Sequence, residues 1–186
     1  FDGANYLEHM MFSPDGNRFA FFHRWKMNGG IYDRLYTADL DGANLFLLND
    51  SGKMSHFCWM NSESIFGWGG VNTPANTLRK YKTVVKYFIK PLLPIYKKLV
   101  SGTSDAGVTK LSSFVTGESY IVFKDKTSKR TKISSTILNR NGHPSFSPYF
   151  KDWCITDTYP DKNAIAQLIL FNIKTNQVIY LAELSS

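Results

Sequence analysis

Two phrases of this chain say nearly the same thing. Residues 9–48 contain HMMFSPDGNRFAFFHRW and then DRLYTADLDGANLFLL, and residues 143–181 contain HPSFSPYFKDWCITDTYP and then AQLILFNIKTNQVIYL. Each phrase runs from an aromatic through a Ser-Pro turn into an apolar strand, crosses a polar loop, and ends in two strands joined by a tight turn. SPDG and SPYF mark the first turn, and DLDGAN and NIKTNQ mark the last. Asp, Asn, Gly and Pro supply the conformations that such turns need. A unit of four short strands over about 40 residues cannot bury its apolar face alone, and units of this length stack as the blades of a β-propeller.

The middle repeat is interrupted. HFCWM and SIFGWG read as its first two strands, joined by NSES, and SYIVFKD (119–125) and TKISSTIL (131–138) as its last two, joined by KTSKR. His9 and His56 stand 47 residues apart and His56 and His143 stand 87 apart, so the extra length falls between the second and third strands of this repeat. The expected fold is therefore an all-β propeller, with blades at 9–50, at 56–70 plus 117–139, and at 143–184. A basic helical insertion at 71–116 interrupts the middle blade. The aromatic content of 15% agrees with a sheet protein, because aromatic side chains suit a pleated, half-buried surface. Three blades do not close a ring, which typically has four to eight. The expectation is a piece of a six- to eight-bladed protein, the alternative being completion by a second, identical chain.

Three of the four histidines share one place in the repeat. His9, His56 and His143 each precede an aromatic by three residues: Phe12, Trp59 and Phe146. In a propeller this position is where the chain enters the first strand, beside the central channel. Imidazoles from consecutive blades would meet there at one rim and form a candidate facial set for a divalent metal, manganese, iron or zinc. The alternative is a histidine that serves the repeat by bonding to the neighbouring blade. Fourteen residues after the first and third of these histidines come His23-Arg24-Trp25 and Asp157-Thr158-Tyr159, read as loops from the second to the third strand on the same rim. Arg24 would pair with a carboxylate. Asp157 would orient a metal-bound histidine or bond a sugar hydroxyl. Trp25 and Tyr159 would stack on sugar rings or cap the blade edge, and the plainer reading of Arg24 and Asp157 is a salt bridge between blades.

Charge is concentrated rather than spread. Arg79, Lys80, Lys82, Lys86, Lys90, Lys97 and Lys98 account for the whole net charge of +7, and the remainder holds fifteen basic and fifteen acidic residues. Within the insertion Leu78, Tyr81, Val85, Phe88, Leu92 and Ile95 follow steps of three and four, an apolar helical face with lysines on the others. Residues 77–100 thus read as a lid or partner-docking helix, as a helix resting on an anionic membrane surface, or as a charged lid that draws in polyanionic sugars. Nucleic-acid binding is not expected, because the basic residues are confined to this one segment.

No nucleophile elbow, P-loop, dinucleotide fingerprint or zinc-finger spacing occurs. No apolar run approaches the roughly 18 residues needed to cross a bilayer. Cys58 and Cys154 sit in strand-like apolar runs and read as small core residues. The chain opens mid-phrase without an initiator Met or a visible signal peptide, which suggests a trimmed or partial chain and favours a cytoplasmic setting.

The phrases FSPDG, HPSFSP, TDTYPD and LFNIKTNQVIYL resemble the TolB-like propellers, and more narrowly the bacterial propellers related to oligogalacturonate lyase. The resemblance covers nearly the whole chain except the insertion. It implies a carbohydrate-active protein that cleaves uronic-acid oligosaccharides by β-elimination with a histidine-held metal. His9, His56 and His143 would be the ligands, His23 the base and Arg24 the stabiliser of the intermediate. The family's metal set also includes a glutamine, whereas Gln167 and Gln177 here fall in outer strands. The other function in view is a non-catalytic TolB-like scaffold that binds a polysaccharide or a protein.

Overall fold

The computed structural model describes residues 4–27, 30–70, 118–133 and 138–185. The helical insertion expected at 71–116, with its membrane, lid and docking readings, lies outside the described residues.

Alternating apolar residues between turn signals form three four-stranded antiparallel sheets, each in simple strand order. The first holds β1 (Asn5–Phe12), β2 (Arg18–Met27), β3 (Gly30–Asp39) and β4 (Phe46–Asn49). The second holds β5 (Met54–Asn61), β6 (Ser64–Gly70), β7 (Glu118–Lys124) and β8 (Arg130–Lys132). The third holds β9 (Ser145–Phe146), β10 (Trp153–Asp157), β11 (Ile165–Asn172) and β12 (Val178–Ser185). All three belong to one compact unit, Phe1–Gly69 with Ser119–Ser186. Among the described residues the fold is all-β and matches part of a propeller, as the repeat requires. The strand expected at 131–138 is described only as far as the short β8, since 134–137 lie outside the described residues.

Successive side chains of a strand point to opposite faces, so each sheet presents one face to its predecessor and one to its successor. Between the first and second sheets, Phe22 of β2 meets Phe57 of β5 edge-on with ring centroids 4.8 Å apart. Between the second and third, Cys58, Phe66, Trp68, Tyr120, Leu138, Cys154, Ile169 and Phe171 form one buried cluster. Phe66 and Tyr120 stack there at 4.8 Å, and the Tyr120 hydroxyl shares a 3.1 Å hydrogen bond with Thr156. Both cysteines are free thiols in this cluster, as the sequence suggested.

One polar knot ties the first two sheets together. Arg18 is 6% exposed and donates from Nε to Asp125 at 2.5 Å and from Nη2 to Thr37 at 3.0 Å, and it pairs with Asp39. Thr37 in turn donates to Asp125 at 2.6 Å. A buried charge needs both a counter-ion and hydrogen bonds, and Arg18 has both.

Candidate functional site: a histidine rim across three sheets

His9 lies inside β1, at a break in register between Glu8 and Met11 where the strand bulges against β2. Its φ of 54° is left-handed, a conformation that costs a residue with a Cβ about 1–3 kcal/mol. Bulges re-aim side chains. The His9 ring lies 5.7 Å from Phe22 and 5.9 Å from His56 by centroids. His56 is the third residue of β5, and His143 stands two residues before β9. The rings of His56 and His143 are 4.1 Å apart. Tyr159 completes the row, 5.5 Å from His143, with its hydroxyl 3.1 Å from His56 Nε2.

Carboxylates stand behind two of the three imidazoles. Asp157, at the end of β10, accepts from His143 Nδ1 at 2.9 and 3.0 Å and from the His143 backbone N–H at 2.5 Å. Burial pushes the Asp157 carboxyl up, but these bonds outweigh it and leave the group below the usual carboxylate range. Glu8 takes the same part for His9, with Oε1 3.0 Å from Nδ1. Among the described residues, no carboxylate bonds the His56 ring, which meets the Tyr159 hydroxyl instead. Burial, then the neighbouring His143 and His9, push it down from the ordinary 6.5 to about 4, so its ring is neutral at neutral pH.

Arg24 shares the inner face of β2 with Phe22, but it is engaged in the joint between sheets. It pairs with Glu8, donates to the carbonyls of Met54 and Ser55 at 3.2 and 3.3 Å, and lies 4.7 Å over the Phe22 ring. His23 and Trp25 do not join the rim. The sequence placed them in a loop after the second strand, whereas β2 runs on to Met27 and takes both inside it. They sit on the face of the first sheet opposite Phe22 and Arg24. There His23 stacks on Trp25 at 5.3 Å and reaches Asn5 Oδ1 at 3.1 Å, while Arg34 covers Trp25 at 4.8 Å.

Three contributors carried no signal that the repeat could expose. Glu8 is not part of the histidine offset, although an acidic residue next to a repeat histidine was there to be noticed. Asn141 accepts from Ser55 Oγ at 2.8 Å and, through its carbonyl, from Tyr159 N at 3.0 Å, tying the second sheet to the third. Gly142 lets the chain pass Asp157 closely: a Cβ added there would stand 1.8 Å from the Asp157 carbonyl oxygen.

Among the described residues, no group of three or more His, Cys, Asp or Glu side chains is gathered tightly enough to hold a metal ion as it stands. The donor chemistry of the row does suit a divalent metal: a neutral imidazole at its centre, flanked by two imidazoles backed by carboxylates, the arrangement that orients histidine ligands.

No protein-family model matches the sequence. No curated protein matches it either. Solved structures do. A prolyl endopeptidase is similar over 96% of this chain and 21% of its own, with 10% identity and a TM-score of 0.52. A putative TolB from Agrobacterium tumefaciens is similar over 98% of this chain and 50% of its own, with 13% identity and a TM-score of 0.50. The chain thus spans half or less of the proteins it is compared with, and at these identities the likeness concerns the fold alone. The described residues have the fold of part of a β-propeller, three four-stranded blades of it.

Proposed function

We propose that the histidine rim is a carbohydrate site at which uronic-acid oligosaccharides undergo metal-assisted β-elimination. The observation that carries this reading is the row His9, His56 and His143, drawn from three successive sheets into ring contact. A divalent metal held by these three side chains would polarise a substrate carboxylate and acidify the adjacent C–H. Asp157 and Glu8 hold their histidines in orientation from behind, and Tyr159 offers the rim an aromatic face and a hydroxyl for a sugar ring. Arg24 acts by holding Glu8 and the start of β5 in place. His23 and Trp25 take no part in this reading, because they stand on the other face of the sheet.

The test is elemental mass spectrometry on protein purified without chelator or nickel resin, beside a His56→Ala variant. An assay of oligogalacturonate for unsaturated product by ultraviolet absorbance follows. Near-stoichiometric manganese, iron or zinc, lost in the variant, together with unsaturated product, supports the proposal. Well-folded protein with neither metal nor product overturns it. In that outcome the second reading takes its place, a non-catalytic scaffold that binds a polysaccharide or a protein. It draws its support from Arg24, which is committed to the joint between sheets, and from the hydrogen-bond partner that each rim histidine already has.

A further inference from the structure

The chain crosses from the second sheet to the third through Asn141-Gly142. An asparagine holds its amide carbon where the next backbone nitrogen can close a small ring on it, and a glycine in that next place sets no Cβ in the way. The fold adds to what the pair brings. The Ser55 hydroxyl donates to Asn141 Oδ1 at 2.8 Å. That oxygen takes up negative charge when its carbon is attacked, so the hydroxyl stands where an oxyanion would develop. The neighbouring main-chain groups are engaged: the Asn141 carbonyl accepts from Tyr159 N at 3.0 Å, and the His143 N–H donates to Asp157 at 2.5 Å. Among the described residues, no hydrogen bond holds the Gly142 N–H between them. The nitrogen that would attack is the one left uncommitted, and half-buried Asn141 stays within reach of water.

We infer that Asn141 is a site of self-modification, at which the Gly142 nitrogen displaces ammonia and leaves aspartate or isoaspartate beside the rim. The bond from Gly142 N to Asn141 Cγ forms, the N–H proton passes to solvent, and charge collects on Oδ1 against the Ser55 hydroxyl. The bond from Cγ to the amide nitrogen then breaks, and with a proton from water ammonia leaves a succinimide. A second water opens that ring. Attack at Cγ gives aspartate, and attack at the Asn141 main-chain carbonyl gives isoaspartate, with one more carbon in the backbone. Water is the only co-reactant.

The modification acts on the rim because the crossing has no slack. A Cβ on Gly142 would already stand 1.8 Å from the Asp157 carbonyl oxygen. Isoaspartate lengthens the backbone at this point and takes the acceptor of Tyr159 N out of the main chain. His143 then loses its register with Asp157, and with it the 4.1 Å contact between its ring and that of His56. The aspartate product keeps the chain length and adds a carboxylate beside Ser55. The inference does not depend on whether the rim holds a metal.

Ageing the purified chain at physiological temperature and neutral pH, followed by peptide mapping with mass spectrometry, tests this. Mapping is needed because the sequence holds a second Asn-Gly pair, Asn28-Gly29. The native protein is compared with the same protein in urea and with Ser55→Ala and Ser55→Thr, whose folds circular dichroism checks. Aspartate and isoaspartate should accumulate at position 141 in the native protein. Folded Ser55→Ala should convert about fivefold more slowly, the worth of one hydrogen bond made in the transition state. Ser55→Thr, which keeps the hydroxyl, should restore the rate, and all three proteins should convert equally in urea. Asn141 left intact in the native protein, after the chain in urea has converted it, overturns the inference. An unchanged or faster rate in folded Ser55→Ala overturns it as well.

Discussion

Asp157 holds His143 at two points: one carboxylate oxygen accepts the backbone N–H at 2.5 Å and the other the ring Nδ1–H at 2.9 Å. The grip fixes both where His143 sits and which ring nitrogen faces outward. Asp157→Ala should therefore weaken zinc binding at the rim about 10–100-fold, the usual cost of losing the group behind a histidine ligand. Asp157→Asn, which keeps an acceptor for the backbone N–H, should lose less. Isothermal titration with zinc distinguishes the three proteins, and equal affinities would remove Asp157 from the site.

Gly142→Ala should damage the same grip from the other side. The new Cβ would meet the Asp157 carbonyl at 1.8 Å, so the backbone must move. A loss of about 1–3 kcal/mol is expected, as for other overpacked positions. Urea denaturation measures it.

Acid should loosen the rim through His56. The unfolded chain takes up a proton near the ordinary value of 6.5, while the folded ring stays neutral until about 4. Below pH 6.5 the unfolded state thus binds more protons, and stability falls as the pH drops through that window, with no change from this group above it. Part of the ring is open to solvent, so the contribution is about 1 kcal/mol after discounting for screening. Thermal unfolding between pH 4 and 7 should show this slope in the native protein and a flatter one in His56→Gln.

Arg18→Ala should cost about 3–5 kcal/mol, because it removes the cation that pairs with Asp125, which is 7% exposed, and no other among the described residues pairs with it. The double replacement Arg18→Met with Asp125→Leu should recover part of that loss, since an apolar pair strands no charge. Guanidinium denaturation of the two variants gives the comparison.

Cys58 and Cys154 should be silent toward Ellman's reagent in the native protein at pH 8 and react together on unfolding. Burial pushes both thiols up, Cys154 to about 12 and Cys58 further. Fast labelling of either thiol in the folded state would place it outside the cluster between the second and third sheets.

The sheets were legible in the sequence because strand alternation and turn residues are local signals, and the repeat states them more than once. The histidine row was legible for the same reason, since equivalent repeat positions land on equivalent places of successive sheets. What was not legible depends on contacts between sheets. Arg24 and Glu8 meet each other and the start of β5 only when two blades stack, and no spacing in the chain announces it. His23 was misplaced because β2 continues for ten residues. A strand that outlasts its expected end turns what reads as a loop into alternating positions, with Arg24 on one face and His23 and Trp25 on the other. The bulge at His9 is likewise invisible to a pattern with period two.

Because its imidazoles come from three sheets, the rim exists only when all three are folded and stacked. A ligand that bridges them would bind no single blade well, and its binding energy would act on the joints between blades rather than within any one of them. Such a ligand works as a clasp: the first event on heating in its absence should be blades parting, and in its presence the chain should melt as one unit.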